Sequence, residues 1–320
     1  MNDQRKKGKI PLLILAGPTA AGKSALAINL ARKLNTEIIS ADSAQVYRGL
    51  NIGTAKPSLE EQKVVKHHLI DLADPDQHFS AADYQKAADA KIEQLWYSNK
   101  LPFMVGGSGL YIKAVTDRYA FGPQGANPEL RAAFEKQTSS NEGLDLLYRK
   151  LKTVDPQAAE NINPRDRKRI IRAIEVYTLE GKPISEQVDK TKRQESPYDL
   201  FYFALYMDRG ILYTRIERRV EVMVEQGFLN EVRSLIRQGY DHNSPGMQIL
   251  GYRQLLNYLQ GNMDWDETIA EIKKQTRNLA KRQLTWFRRE KDVQWAEIKN
   301  QTSYYDIAEN IYLKVKDIAP

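Results

Sequence analysis

Gly17-Pro-Thr-Ala-Ala-Gly-Lys-Ser24 decides the fold. It fits G-x-x-x-x-G-K-[ST], in which glycines let backbone N–H groups converge on phosphate oxygens. The pattern has meaning only between a strand and a helix, and the flanking sequence supplies both. Ile10-Pro-Leu-Leu-Ile-Leu-Ala16 reads as a buried parallel strand, and Lys23 to Leu34 carries Leu26, Ile28, Leu30 and Leu34 as the marks of a helix packed on a sheet. Gly17, Pro18, Thr19, Ala20, Ala21, Gly22, Lys23 and Ser24 are therefore the expected phosphate cradle. Lys23 adds a point charge, Ser24 a hydroxyl able to ligate Mg²⁺, and the helix N-terminus its partial positive charge. The cradle leaves the reaction open. It can hold a nucleotide, as in kinases, ATPases and GTPases, or a pyrophosphate that departs.

Working outward, Glu37 to Ser40 reads as a second short strand ending in Ala41-Asp42-Ser43. Ser80-Ala-Ala-Asp83 is a capping box opening a helix to about Ser98. Pro102 to Val105 is another buried strand, with Gly106-Gly-Ser-Gly109 as its turn. Leu200 to Tyr206 resumes the strand pattern, long amphipathic helices follow it, and Val293 to Trp295 is a last short strand. Strands alternating with helices predict an α/β fold, a P-loop parallel sheet flanked by helices. From Asp117 to Glu195 the strand pattern is missing. Helices are expected near Pro128–Thr138, Gly143–Lys152 and Arg165–Glu180, with Gly181 as C-cap and Pro183 beyond, then an exposed linker over Lys190–Pro197. The expected organisation is a first part of the core over 1–116, a helical insertion over 117–196, and completion of the core with basic C-terminal helices over 197–320.

Composition bounds the chemistry. The 320 residues are 42% hydrophobic and 28% charged, which suits a folded protein rather than a disordered one. A net charge of +7 favours a polyanionic partner, although many soluble proteins are mildly basic. The absence of cysteine excludes disulfides, Cys-ligated zinc and thiol catalysis. His67, His68, His78 and His242 show no metal-ligand spacing, and His67–His68 reads as a structural pair. The apolar run Ile10–Ala16 is too short for a signal peptide, and nothing approaches the roughly 20 apolar residues of a membrane span. A cytoplasmic protein is expected.

Two constellations lie at the carboxyl ends of predicted strands, where open α/β sheets bind ligands, and others lie on helices. Asp42 is one; a role at the phosphate site and a role as cap of the next turn are both open. Gly49-Leu-Asn-Ile-Gly-Thr-Ala-Lys56 suggests a site wall, and Gly106–Gly109 either admits a ligand or is a tight turn. Arg165, Arg169 and Arg172 share a predicted helix face suited to phosphates or to solvent. Arg215-Ile-Glu-Arg-Arg219 could clamp a pyrophosphate. Lys281-Arg-Gln-Leu-Thr-Trp-Phe-Arg-Arg289 mixes cations with aromatics, as nucleic-acid binding requires, while Trp286 and Phe287 equally suit a core.

Taken in order, these segments resemble one family, the tRNA dimethylallyltransferases or tRNA isopentenyltransferases. The resemblance is carried by GPTAAGKS at 17–24, ISADSAQVYRGLNIGTAKPS at 39–58, HHLIDLADPDQHFSAADY at 67–84, LPFMVGGSGLYIKA at 101–114, RIIRAIEVYTLEGKPIS at 169–185, RIERRVEVMVEQGFLNEV at 215–232, ILGYRQL at 249–255 and LAKRQLTWFRR at 279–289. Several of these are specific to the family, unlike the P-loop. The resemblance implies transfer of a dimethylallyl group from dimethylallyl diphosphate to the exocyclic amine of the adenosine 3′-adjacent to the anticodon in tRNA, assisted by Mg²⁺. It implies that the P-loop holds the diphosphate leaving group, with Arg219 beside it, and that Asp42 and Thr19 sit at the reaction centre. Ser24 would ligate the metal. It further implies tRNA contacts at Asp42, Ser43, Ala44, Gln45, Ser108, Arg131, Lys168, Arg169, Ile170, Ile171, Arg172, Gln248, Gly251, Tyr252, Lys281, Arg282 and Arg288. The partner would be a tRNA anticodon stem-loop held in part by the insertion, and the enzyme a monomer. Ser108 stands where threonine is common and keeps the hydroxyl. Without cysteine the zinc finger of eukaryotic relatives cannot exist, which points to the bacterial type.

Three other readings compete. A prenyltransferase acting on free adenine nucleotide would share the P-loop and Asp42, and the basic segments argue against it. A kinase or ATPase lacks a convincing Walker B strand, His68-Leu-Ile-Asp71 being a weak candidate. A non-catalytic RNA-binding protein with a vestigial P-loop is the third.

Overall fold

The computed structural model describes residues 8–119, 121, 127–193, 195–290, 292–299 and 304–318. The described residues of Met1–Thr116 and Pro197–Pro320 form one compact unit, and those of Asp117–Ser196 form a second. The elements of the first part are β1 (Ile10–Ala16), α1 (Lys23–Lys33), β2 (Ile38–Ala41), α2 (Leu59–Val64), β3 (His67–His68), α3 (Ala81–Tyr97), β4 (Phe103–Gly106) and α4 (Gly109–Thr116). The second unit holds α5 (Pro128–Gln137), α6 (Asn141–Val154), α7 (Pro156–Asn161), α8 (Arg167–Glu180) and α9 (Ile184–Arg193). The chain then returns with β5 (Tyr198–Met207), α10 (Arg209–Glu225), α11 (Phe228–Arg237), α12 (Tyr252–Leu259), α13 (Trp265–Phe287), β6 (Gln294–Ile298) and α14 (Tyr304–Val315).

The six strands make one parallel sheet in the order β3-β2-β4-β1-β5-β6, so the expected α/β architecture is present. Alternation along β1 supplies both faces. Leu12, Ile14 and Ala16 enter one core with Tyr84, Ile92, Tyr111 and Phe287, while Leu13 and Leu15 enter the other with Leu26 and Leu30 of α1 and Ile311 of α14. Burying each such leucine stabilises the fold by about 1.5–3 kcal/mol, which is why a run without polar residues tolerates only this position in the sheet. Among the described residues no helix is long and apolar enough to cross a membrane.

Local chemistry sets the element ends. Ser80 accepts from the Asp83 N–H and Asp83 returns the bond to Ser80 N–H at 2.9 Å, the capping box that opens α3. Gly181 ends α8 in the left-handed conformation, φ 67°. Three boundaries differ from the expected ones. α8 starts at Arg167, not Arg165, because the Asp166 carboxylate caps it by accepting from Arg169 N–H, which leaves Arg165 outside the helix and paired with Asp145. Lys190–Arg193, expected in a linker, continue α9. The last strand begins at Gln294 and runs to Ile298, held by β5 alone.

In the second unit Leu144, Leu147 and Leu151 of α6 pack on Ile170, Ile171 and Ile174 of α8. Ile170 and Ile171 were expected to touch tRNA. They are buried instead, because their spacing puts them on the apolar side of α8, whereas their neighbours Lys168 and Arg169 are exposed. Glu175 is wholly buried on the same helix. It accepts from Arg131 through Nε and Nη2, from Arg172 Nη1 at 2.8 Å and from Asn127 N–H at 2.9 Å. Burial opposes its ionisation, but the two guanidinium groups outweigh this and hold the carboxyl below its ordinary range.

Candidate active site

Three turns leave neighbouring strands at one level of the sheet. The register pairs Ala16 with Gly106 and Ala41 with Gly106, so the P-loop after β1, the Asp42 turn after β2 and the Gly106–Gly109 turn after β4 lie side by side. Their close packing explains the glycines. A Cβ on Gly106 would lie 2.1 Å from the Ala41 carbonyl oxygen, and Gly17 holds φ 149° against the Leu205 backbone. Together the turns form the floor of a cleft of about 1510 Å³, all of whose walls belong to the first unit.

Within the P-loop, Lys23 folds back so that Nζ donates to the carbonyl oxygens of Gly17 at 2.9 Å and Pro18 at 2.8 Å. Removal from water pushes its pKa down to about 8; the Asp42 carboxylate opposes the shift and the Arg219 guanidinium adds to it. Arg219 is likewise lowered by burial and supported by Asp42. Lys23, Arg219 and Asp42 therefore form one electrostatic group in the cleft. Arg219 comes from α10, and Arg215 stands one turn before it. Arg215 Nη1 is hydrogen-bonded to the Tyr304 hydroxyl, which also donates to the Ala21 carbonyl oxygen at 3.3 Å.

Asp42 makes the capping contact and also faces the cleft. Its Oδ1 accepts from Ala44 N–H at 2.9 Å, the capping contact, and the same side chain lines the cleft beside the two cations. Ser108 Oγ accepts from Ser43 N–H at 2.8 Å and lies 3.1 Å from Ser43 Oγ, so the Asp42 and Ser108 turns are tied together. Gln45 donates to the carbonyl oxygen of Ala55 at 3.2 Å and accepts from Ser40 Oγ at 3.0 Å, which fastens the Gly49–Lys56 wall. Tyr111 lines the same cleft, stacked on Tyr84 with ring centroids 4.0 Å apart, and burial pushes its phenol pKa up.

Of the expected site residues, the cleft gathers Thr19, Ala20, Gly22, Lys23, Ser24, Asp42, Ser43, Ala44, Gln45, Ser108, Arg219, Gly251 and Arg282. Lys281, Gln248 and Arg288 are exposed and outside it. Arg131 and Lys168–Arg172 belong to the second unit. Tyr252, expected on tRNA, is fully buried: its ring packs edge-on against Phe228, and its hydroxyl donates to Glu231 Oε1 at 2.5 Å. Asp71, the Walker B candidate, is bound to the buried Lys56 Nζ at 2.5 Å rather than to the phosphate loop. Phe287 is core, whereas Trp286 reaches the cleft.

Two further residues organise the walls: Glu231, which nothing in the sequence singles out, and Gln283, which lies within the Lys281–Arg288 segment. Glu231 accepts from Ile52 N–H at 2.8 Å, Asn51 N–H at 3.0 Å and Gly53 N–H at 3.3 Å, three consecutive amides of one loop. Gln283 joins the P-loop to the Gly106–Gly109 turn. The one sequence signal for either is its place in the segments 215–232 and 279–289.

The chain as a whole has close relatives. The family model described as IPP transferase matches residues 45–290. A tRNA dimethylallyltransferase of Moorella thermoacetica is 47% identical over 295 residues, covering 91% of this chain and 90% of the relative. One from Symbiobacterium thermophilum is 44% identical over 98% of this chain and 97% of its own length. Among solved structures, the full-length tRNA isopentenylpyrophosphate transferase from Bacillus halodurans is 39% identical with a TM-score of 0.71, covering 97% of this chain and 98% of the other. A eukaryotic dimethylallyltransferase acting on tRNA superposes with a TM-score of 0.78 at 25% identity, over 96% of this chain and 79% of that one. With sequence and fold in agreement, the chain belongs to the IPP transferase family, the tRNA dimethylallyltransferases.

Proposed function

We propose that the cleft transfers a dimethylallyl group from dimethylallyl diphosphate to the exocyclic amine of the adenosine 3′-adjacent to the anticodon of a tRNA. The observation that carries this reading is the convergence of Lys23, Arg219 and Asp42, which sets two cations for a departing diphosphate next to one carboxylate for an attacking amine. In the step, the bond from the amine nitrogen to the allylic carbon forms as the carbon–oxygen bond to the diphosphate breaks. The electron pair leaves with the bridging oxygen, and the amine proton passes to Asp42. The purine amine is weakly nucleophilic, so its placement by Asp42 matters as much as the basicity of the carboxylate.

Lys23 and Arg219 stabilise negative charge as it grows on the leaving group, with Thr19 beside the bridging oxygen or Asp42. Their fixed positions mean that little reorganisation is needed at the moment of transfer. Ser24 lies exposed at the first turn of α1, and among the described residues no cluster of three or more His, Cys, Asp or Glu side chains could hold a metal unaided. Ser24 is the residue that would hold Mg²⁺, a cation whose remaining positions are usually filled by phosphates and water. Bound Mg²⁺ would neutralise part of the charge on the departing diphosphate.

The acceptor adenosine must leave its stack to enter a cleft of this depth. Ser43, Gln45, Ser108 and Arg282 at the cleft, with Lys168, Arg169, Lys281 and Arg288 on exposed surfaces, are the side chains that meet the anticodon stem-loop. The enzyme acts as a cytoplasmic monomer. Offering the protein a tRNA anticodon stem-loop and AMP in competition for dimethylallyl diphosphate tests the acceptor. Label on the stem-loop is expected. Label on AMP would move the activity to free nucleotides.

A further inference from the structure

α13 runs beside the cleft, and its half-buried Gln283 uses both ends of one side-chain amide. The carbonyl oxygen accepts from Thr19 N–H at 2.8 Å. Nε2 donates to the Gly107 carbonyl oxygen at 3.0 Å. The two anchors follow neighbouring strands, β1 and β4, so one group spans the gap between the P-loop and the turn that carries Ser108. Only a side-chain amide supplies a donor and an acceptor in this fixed arrangement at this reach. A carboxylate could accept from Thr19 but would turn a lone pair on the Gly107 carbonyl.

The backbone is shaped to this side chain. A Cβ on Gly107 would lie 2.4 Å from Gln283 Nε2, and one on Gly109 would lie 2.3 Å from Trp286 Cδ1, one turn further along α13. The helix thus closes both ends of the Gly107–Gly109 turn, while Ser108 Oγ between them holds Ser43 N–H. Thr19 N–H is turned to Gln283 and not into the phosphate cradle.

We infer that Gln283 is a positioning residue, which fixes Thr19 against the Ser108 turn and references the reaction centre to the helix that also carries Arg282 at the cleft. The inference rests on the proposed placement of leaving group and acceptor at Thr19, Asp42 and Ser108. A shift of about 1 Å between reacting groups costs on the order of 10²-fold in rate, so loss of this tie acts on turnover more than on tRNA capture.

The test uses the full chain with Gln283→Glu, Gln283→Ala, Gly107→Ala and the double variant Gln283→Ala/Gly107→Ala. Gln283→Glu is expected to lower kcat by roughly 10- to 100-fold, with KM for tRNA and the melting temperature close to wild type. Gly107→Ala should be damaging alone and add little on top of Gln283→Ala, since the methyl group then occupies the space the amide has left. Wild-type kcat in Gln283→Glu, a loss that only follows a lower melting temperature, or fully multiplicative effects in the double variant would each overturn the inference. Hydrogen exchange at the Thr19 amide is read in the same proteins and does not depend on which reaction the site runs. Faster exchange in Gln283→Ala supports the tie, and unchanged protection overturns it. Failure of the wild-type chain to prenylate any tRNA would instead sink the proposed function.

Discussion

Lys23 Nζ donates to the Gly17 carbonyl oxygen at 2.9 Å, so the lysine of the phosphate loop closes on the residue that opens the loop. With its charge removed from water and Arg219 nearby, it sits at about pKa 8. A diphosphate favours the protonated form. At about pH 8.5 its binding should therefore take up protons, and affinity should fall as pH rises past 8. Calorimetry of pyrophosphate binding in two buffers of different ionisation enthalpy reads the uptake; zero uptake would mean that Lys23 is already fully charged. The same shift bears on stability. The folded value lies below 10.5, so the native state binds fewer protons between about 8 and 10.5. The penalty of burying the cation is full below pH 8 and fades as pH rises through that window.

Asp42→Asn separates the two roles of this carboxylate. The amide oxygen can still accept from Ala44 N–H, so the turn should survive, while the proton acceptor and the charge facing Lys23 and Arg219 are lost. A fall in kcat of about 10²–10⁴-fold is expected with tRNA binding retained. Single-turnover transfer and a tRNA binding titration check the two halves.

Glu231 and Tyr252 hold the wall of the cleft. Tyr252→Phe should leave the edge-on packing against Phe228 intact while removing the hydroxyl from Glu231. Losing a hydrogen bond to a charged group costs about 1.5–3 kcal/mol. Glu231→Ala should go further by releasing Asn51, Ile52 and Gly53 N–H, seen as faster amide exchange at those three positions and not elsewhere in the sheet.

Much of this was legible in the sequence, and the reason is local. The P-loop, the buried runs of β1 and β4, the capping box at Ser80 and the Gly181 C-cap are each decided by residues a few positions apart. What was not legible depends on partners far away in the chain. Gln283 meets Thr19 across 264 positions, and Tyr304 meets Ala21 across 283. β3 has only two residues and exists because Ile38 and Ile39 of β2 offer it a ladder. Ile170 and Ile171 were read with the basic residues around them, although the helical period turns them to the opposite side.

Glu175→Ala should destabilise the second unit. The buried carboxylate satisfies Arg131, Arg172 and Asn127 N–H together. Breaking a buried pair costs about 3–5 kcal/mol, and the lower end is expected because both arginines can regain water. The stabilisation is present above the ordinary glutamate pKa and is lost as pH falls through the lowered folded value. Calorimetric melting of the whole chain at neutral and acid pH, with and without the substitution, measures both effects; equal melting at neutral pH would contradict the role.

On the proposed reading, the phosphate loop grips a leaving group while the Asp42 carboxylate faces the group that attacks. Nucleoside mass spectrometry of a tRNA incubated with dimethylallyl diphosphate, Mg²⁺ and either the native chain or Asp42→Asn checks both halves at once. The native chain should yield dimethylallyl-adenosine at the position 3′ to the anticodon, and Asp42→Asn should yield little or none over the same time. Unmodified tRNA with the folded native chain, or equal modification by both proteins, would contradict it.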